Sequence, residues 1–292
     1  MTTAVGFVGL GDMGSVLAGN LVAAGLDVTT HDIAGPGRSP DGARFADDLA
    51  TLAQRCDTVV FSLPDGTVSE VVSEAIIGTP DRGVRLVIDT STVGLEASER
   101  VGRLLADAGI DFVDAPVSGG AAGARARTLA VMYAGAPAAC AAAEPVLAGL
   151  SDRRYRVGDE PGMAQALKLA NNFLSATALA ATSEAIAFGT SVGLDMDTML
   201  EVLNASSGQS SATSDKFVNH VVTGRYASGF LNTLMAKDVR LYLNAALAAD
   251  TPAAVAETTV DIWTRFAAEQ PAADFTRIYP FTAGDDPRED PS

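Results

Sequence analysis

The segment ALKLANN, residues 166–172, sets a lysine inside a long apolar stretch of a chain that holds only three lysines, Lys168, Lys216 and Lys237, against seventeen arginines. Lysine is therefore not this protein's default way of wetting a surface. Gln165, Lys168, Asn171, Asn172 and Ser175 recur at steps of three and four, which puts them on one face of a helix. Leu167, Leu169 and Ala170 stand between them, so the pattern predicts a polar stripe on a buried helix. Burial disfavours the charged form of a lysine, and a lysine moved toward neutrality can exchange protons at working pH. Rivals for that work are few. His31 stands beside Asp32, His220 falls in a polar segment where a solvated role is expected, and no His, Cys or Asp cluster has metal-ligand spacing, so no metal is expected.

A proton acceptor of this kind needs a partner for the electrons, and the N-terminus offers one. AVGFVGLGDMG opens with an apolar run of strand length and then places Gly9, Gly11 and Gly14 in G-x-G-x-x-G spacing ahead of a helical pattern. In that order the turn Gly9, Leu10, Gly11, Asp12, Met13 and Gly14 lets the backbone approach a pyrophosphate, whose charge the next helix terminus attracts. The next strand candidate, LDVTTHD, ends in Asp32, eighteen residues past the third glycine. A carboxylate there accepts from ribose hydroxyls and repels a 2′-phosphate; the plainer alternative is that Asp32 starts a solvated loop. No arginine follows before Arg38, so NAD is expected over NADP.

Strand-like runs at 58–64, 85–92, 110–119 and 129–135 alternate with helical patterns near 67–77, 94–108 and 137–149, which indicates a doubly wound, largely parallel sheet. Ligands of such sheets bind at the carboxyl ends of strands, which singles out LPDGT with Leu63 and Pro64, STVG with Thr92, and PVSGG. In the last, the Ser118 hydroxyl and the bare backbone N–H groups of Gly119 and Gly120 suit a carboxylate, although serine and glycine also make plain turns. After YRVGDEPG the alternation stops. One long helix is expected over 163–191, with others near 195–205, 229–249 and 252–268. The fold class is thus α/β, with an N-terminal dinucleotide-binding domain over 1–160, an all-helical domain over 161–282 hung on the long linking helix, and an acidic, disordered tail over 283–292.

Composition narrows the function. A net charge of −16 disfavours nucleic-acid binding, and no apolar run reaches the length of a membrane span. MTTAVGFVGLGDMG lacks a basic start and a signal cleavage site, so a cytoplasmic protein is expected. Cys56 and Cys140, each expected in a helix, are read as reduced structural residues. A long helix apolar nearly all round leaves faces for a second subunit, so a homodimer or homotetramer is expected.

Four segments, GFVGLGDMG, DAPVSGG, GMAQALKLANN and LMAKDVRLYL, stand in order along the chain, and together they resemble the β-hydroxyacid dehydrogenase family over nearly the whole length. The resemblance implies a Rossmann domain followed by the helical domain and hydride transfer between NAD and a small β-hydroxy acid. It implies that Lys168 is the catalytic lysine and that Asn172 orients the substrate. Ser118, Gly119 and Gly120 would hold a substrate carboxylate, Thr92 and Lys237 would contact the nicotinamide end, and Phe230 and Asp238 fall at positions near the active site. Two positions depart from the family pattern. Ala164 stands where glycine is usual, and Arg127, also at a usual glycine, is expected to be solvated. An imine reductase of the same layout would carry aspartate or tyrosine in place of Lys168, and a non-catalytic dinucleotide sensor would have no use for it.

Overall fold

The computed structural model describes residues 4–284, which divide after Lys168 into two compact units. The expected tail therefore lies, from residue 285 on, outside the described residues. In the first unit the strands are β1 (Ala4–Val8), β2 (Asp27–His31), β3 (Arg44–Phe45), β4 (Thr58–Phe61), β5 (Leu86–Asp89), β6 (Asp111–Asp114), β7 (Val117–Ser118), β8 (Ala130–Ala134) and β9 (Arg153–Gly158). Helices α1 (Gly14–Ala23), α2 (Leu49–Arg55), α3 (Gly66–Ile77), α4 (Leu95–Asp107), α5 (Gly120–Arg125) and α6 (Pro137–Leu150) connect them. The sheet runs β3-β2-β1-β4-β5-β6-β8-β7, with β9 paired to β8. Strand order reverses between β1 and β4, the position at which open α/β sheets bind ligands.

Every residue of β4 and β5 is buried because helices cover both faces of the sheet. Alternation sorts the side chains: Val5, Phe7 and Val60 join Leu17, Leu21 and Leu147 in one core, while Val8, Val59 and Phe61 join Leu52, Ile76 and Leu105 in the other. One expected strand is two. The run 110–119 breaks at Ala115 and Pro116, and β7 turns back to pair antiparallel with β8. Proline offers no ladder donor, but its carbonyl still accepts from Met132 N at 3.1 Å.

Helix α7 (Met163–Ser191) is the expected long helix. Beyond it the second unit holds α8 (Met196–Asn204), a π-helix (Ala212–Val221), α9 (Asn232–Ala248), α10 (Ala254–Glu269) and α11 (Ile278–Ala283). Its core centres on Trp263 and Phe266, packed with Phe217 and Phe275. One side of α7 carries exposed apolar side chains in the single chain: Leu167, Leu174 and Phe188. Among the described residues no helix is long and apolar enough to cross a membrane.

Candidate active site

The glycine turn is shaped by what touches it. Gly9 adopts φ +95°, and a Cβ there would sit 2.3 Å from the Ser62 carbonyl oxygen; one on Gly14 would meet the Gly9 oxygen at 1.9 Å. These two glycines let β1, β4 and α1 approach each other. Gly11 differs, since nothing lies within 4 Å of the place its Cβ would take. The protein itself makes no demand for glycine at position 11, and the open space before the amino end of α1 fits a pyrophosphate. Asp32, at the end of β2, turns its carboxylate onto this loop: Oδ2 accepts from Leu10 N at 2.6 Å and Oδ1 from Ala34 N at 2.7 Å. A carboxylate has about four acceptor sites, so capacity for two ribose hydroxyls remains. Arg38, remote in sequence, reaches the same loop and pairs with Asp12 at 2.8 Å. Distance along the chain therefore understates how near an arginine stands to the nucleotide turn.

At the neighbouring strand ends, Leu63 N donates to Ser91 Oγ at 2.7 Å and Pro64 is exposed. Thr92 is half-buried in the loop between β5 and α4. Ser118 is half-buried at the end of β7, and Gly119 and Gly120 follow with φ of +133° and +63°. Nothing lies within 4 Å of a Cβ on Gly120, which leaves backbone N–H groups approachable. Lys168 is buried, 6% exposed, on the face of α7 that also carries Gln165 and Asn172 at 0% and 5%.

Within the second unit the amide of Asn172 is held on both sides. Its Nδ2 donates to Asp238 Oδ2 at 2.6 Å, and its Oδ1 accepts from Asn171 Nδ2 at 3.1 Å. Lys237 Nζ lies 3.2 Å from the other oxygen of Asp238. Asp238 thus acts on Asn172 and Lys237, while Phe230 packs edge-on against Phe275 with ring centroids 5.6 Å apart. Beside this group Asn171, Leu174, Ser175, Ala178, Ser210 and Ser211 line a depression of about 340 Å³, whose hydroxyls and amide suit a polar group.

Several expectations need correction. Arg127 is half-buried rather than solvated, its guanidinium donating to Ala148 O at 3.1 Å, where the last turn of α6 leaves carbonyls without helical partners. His220 is half-buried in the π-helix. Cys56 caps the end of α2 instead of lying within a helix, and burial pushes its thiol up to about 11, which fits an inert residue. The string GTSVG at 189–193 has nucleophile-elbow spacing, but Ser191 closes the end of α7 and donates to Phe188 O at 2.7 Å, with no strand-to-helix turn to activate it.

Asp114 escaped the sequence reading. Fully buried at the end of β6, it accepts from Gln165 N at 3.0 Å. Burial, with Asp89 adding like charge, pushes its carboxyl up from 3.8 to about 7 against the backbone donors of Gln165 and Gly162. Between pH 4 and 7 the unfolded chain releases a proton that the folded chain keeps. The contribution to stability is therefore present below about pH 4 and is lost as pH rises toward 7. Asp114→Asn keeps the acceptor for Gln165 and removes the ionisation. The wild-type Tm should accordingly fall relative to the variant between pH 5 and 8, at about 2–4 °C per kcal/mol. Parallel Tm profiles for the two proteins would disprove the assignment.

Comparison with known proteins places the chain in a family. The family described as NAD binding domain of 6-phosphogluconate dehydrogenase matches residues 4–158, and that described as NAD-binding of NADP-dependent 3-hydroxyisobutyrate dehydrogenase matches residues 162–282. The chain is 35% identical to the 3-hydroxyisobutyrate dehydrogenase of Pseudomonas aeruginosa, over 97% of its own length and 100% of that protein's. It is 33% identical to the 2-(hydroxymethyl)glutarate dehydrogenase of Eubacterium barkeri, over 85% and 84% of the two chains. Among solved structures, Mycobacterium tuberculosis 3-hydroxyisobutyrate dehydrogenase with L-serine has a TM-score of 0.89 at 29% identity, covering 96% of this chain and 99% of that one.

Proposed function

The chain belongs to the β-hydroxyacid dehydrogenase family, and from that premise we propose an NAD-dependent dehydrogenase of a small β-hydroxy acid or its semialdehyde, similar to 3-hydroxyisobutyrate, with Lys168 as general acid and base. The observation that carries the reading is a lysine buried to 6% exposure on the helix face it shares with Gln165 and Asn172. A solvated surface lysine would have no reason to sit there.

The dinucleotide, held at the glycine turn, supplies the hydride acceptor. In oxidation the amine of Lys168, uncharged, takes the proton from the β-hydroxyl; in reduction its ammonium returns it. Asn172, with one amide hydrogen spent on Asp238, keeps the other for the substrate. Ser118 and the N–H groups of Gly119 and Gly120 receive the carboxylate, and Thr92 and Lys237 are assigned to the nicotinamide end. Asp32 on the ribose favours NAD.

The test is NADH formation from NAD, and separately NADPH from NADP, with 3-hydroxyisobutyrate, 3-hydroxypropionate, glycerate, serine, threonate and 4-hydroxybutyrate. Turnover concentrated on one or two of these acids with NAD is the expected result. Silence across the panel while NAD still binds would overturn the hydroxy-acid reading and turn attention to imines. The same reading includes a cytoplasmic homodimer or homotetramer, supported by the exposed Leu167, Leu174 and Phe188 of α7. A monomer by light scattering would contradict that part.

A further inference from the structure

We propose that Gln165 is a positioning residue whose amide stitches the first turn of α7 to the loop 91–94, setting the amine of Lys168 in register with Thr92. The proposal rests on the dehydrogenase reading, which gives Lys168 and Thr92 a common reaction to serve. Gln165 is fully buried. Its Oε1 accepts from Val93 N at 3.1 Å and Gly94 N at 3.2 Å, and its Nε2 donates to Ser91 O at 3.0 Å. Three of the four hydrogen-bonding positions of the side chain are thus used, all on backbone, and they straddle Thr92. The backbone N of Gln165 donates to Asp114 at 3.0 Å, which ties the same turn to the end of β6.

The far side of the stitch is rigid as well. Ser91 N donates to Asp89 Oδ1 at 2.9 Å and Ser91 Oγ accepts from Leu63 N at 2.7 Å, so the loop is fixed to the ends of β5 and β4. Gly162, at φ +95°, brings the start of α7 close enough to α4 that a Cβ would meet Leu95 Cδ1 at 2.6 Å. A buried side chain that only filled space could be apolar, since an amide costs desolvation unless its partners are all in place. Lys168 lies three residues on, about 4.5 Å further along the helix. Because misplacing reacting groups by 1 Å can cost about 10² in rate, a clamp of this kind has catalytic consequences.

Two variants separate positioning from packing. Gln165→Met keeps the length of the side chain and removes all three bonds, while Gln165→Glu keeps the two acceptor bonds but sets a carboxylate oxygen against the Ser91 carbonyl in a buried site. Assayed well below their Tm, kcat should fall by about 10–10² for each variant, with the Kd for NADH within about threefold of wild type. Should Gln165→Met fail to fold, Gln165→Glu decides. A second readout needs no turnover. With three lysines in the chain, ¹³C-lysine labelling gives three assignable side-chain signals; that of Lys168 should shift in both variants and lose its wild-type response to NAD, while that of Lys216 stays in place. A lower Tm with unchanged kcat and an unmoved Lys168 signal would overturn the proposal. If the wild-type enzyme oxidises none of the acids, the dehydrogenase reading fails, and the Lys168 signal still decides whether Gln165 positions the amine.

Discussion

Lys168→Ala lowers kcat by about 10²–10⁴, the usual contribution of a positioned general acid or base, and leaves the affinity for NAD within about threefold. The two outcomes separate because the nucleotide is assigned to the glycine turn and Asp32, whose carboxylate is held by Leu10 N and Ala34 N. The helix tolerates the change, since alanine is the best helix former and the site is buried. Lys168→Arg sharpens the test. A guanidinium keeps the positive charge but stays protonated throughout the accessible pH range, so it cannot accept the hydroxyl proton. If Lys168 acted only as a fixed positive charge, the arginine variant would retain much of the wild-type rate. As a proton acceptor, it should lose nearly as much as alanine. Near-normal turnover in Lys168→Ala would refute the assignment outright.

What the sequence made legible follows from the range of the forces involved. The glycine turn, its strand and helix, and the stripe from Gln165 to Asn172 are set by neighbours a few residues apart, so spacing alone displayed them. Long-range partners were hidden. Gln165 looked like one more polar position, and only the fold brings Ser91, Val93 and Gly94 to it from more than seventy residues away. Asp114 read as a strand residue, because nothing local tells a buried carboxylate capping a later helix from one facing water. The π-helix was missed for a different reason. Its buried Ala212, Thr213, Phe217 and Val221 stand among Ser214, Asp215, Asn219 and His220, so few apolar residues mark a face in sequence. Arg127 was misjudged on composition, since most arginines are solvated and the carbonyls at the end of α6 that hold it are not visible in sequence.

Cofactor choice sets two nearby charges against each other. Asp32 faces the nucleotide turn with Leu10 N on one oxygen, and a 2′-phosphate placed beside that carboxylate would meet like charge at a cost of several kcal/mol. Arg38 has the opposite effect, but its guanidinium is exposed and engaged by Asp12, which neutralises much of what it could offer a phosphate. Asp32 should therefore prevail, giving a kcat/KM ratio for NAD over NADP of about 10² or more. Asp32→Asn keeps one acceptor for Leu10 and removes the charge, so the ratio should fall by about tenfold or more. Adding Asp12→Asn frees Arg38 and should carry the ratio further toward NADP, whereas Asp12→Asn alone should move it less than Asp32→Asn does. The order of the three variants matters as much as their size. A wild-type preference for NADP, or a ratio that responds to Asp12 and not to Asp32, would show that Arg38 governs the site and that the carboxylate at the end of β2 serves the turn rather than the ribose.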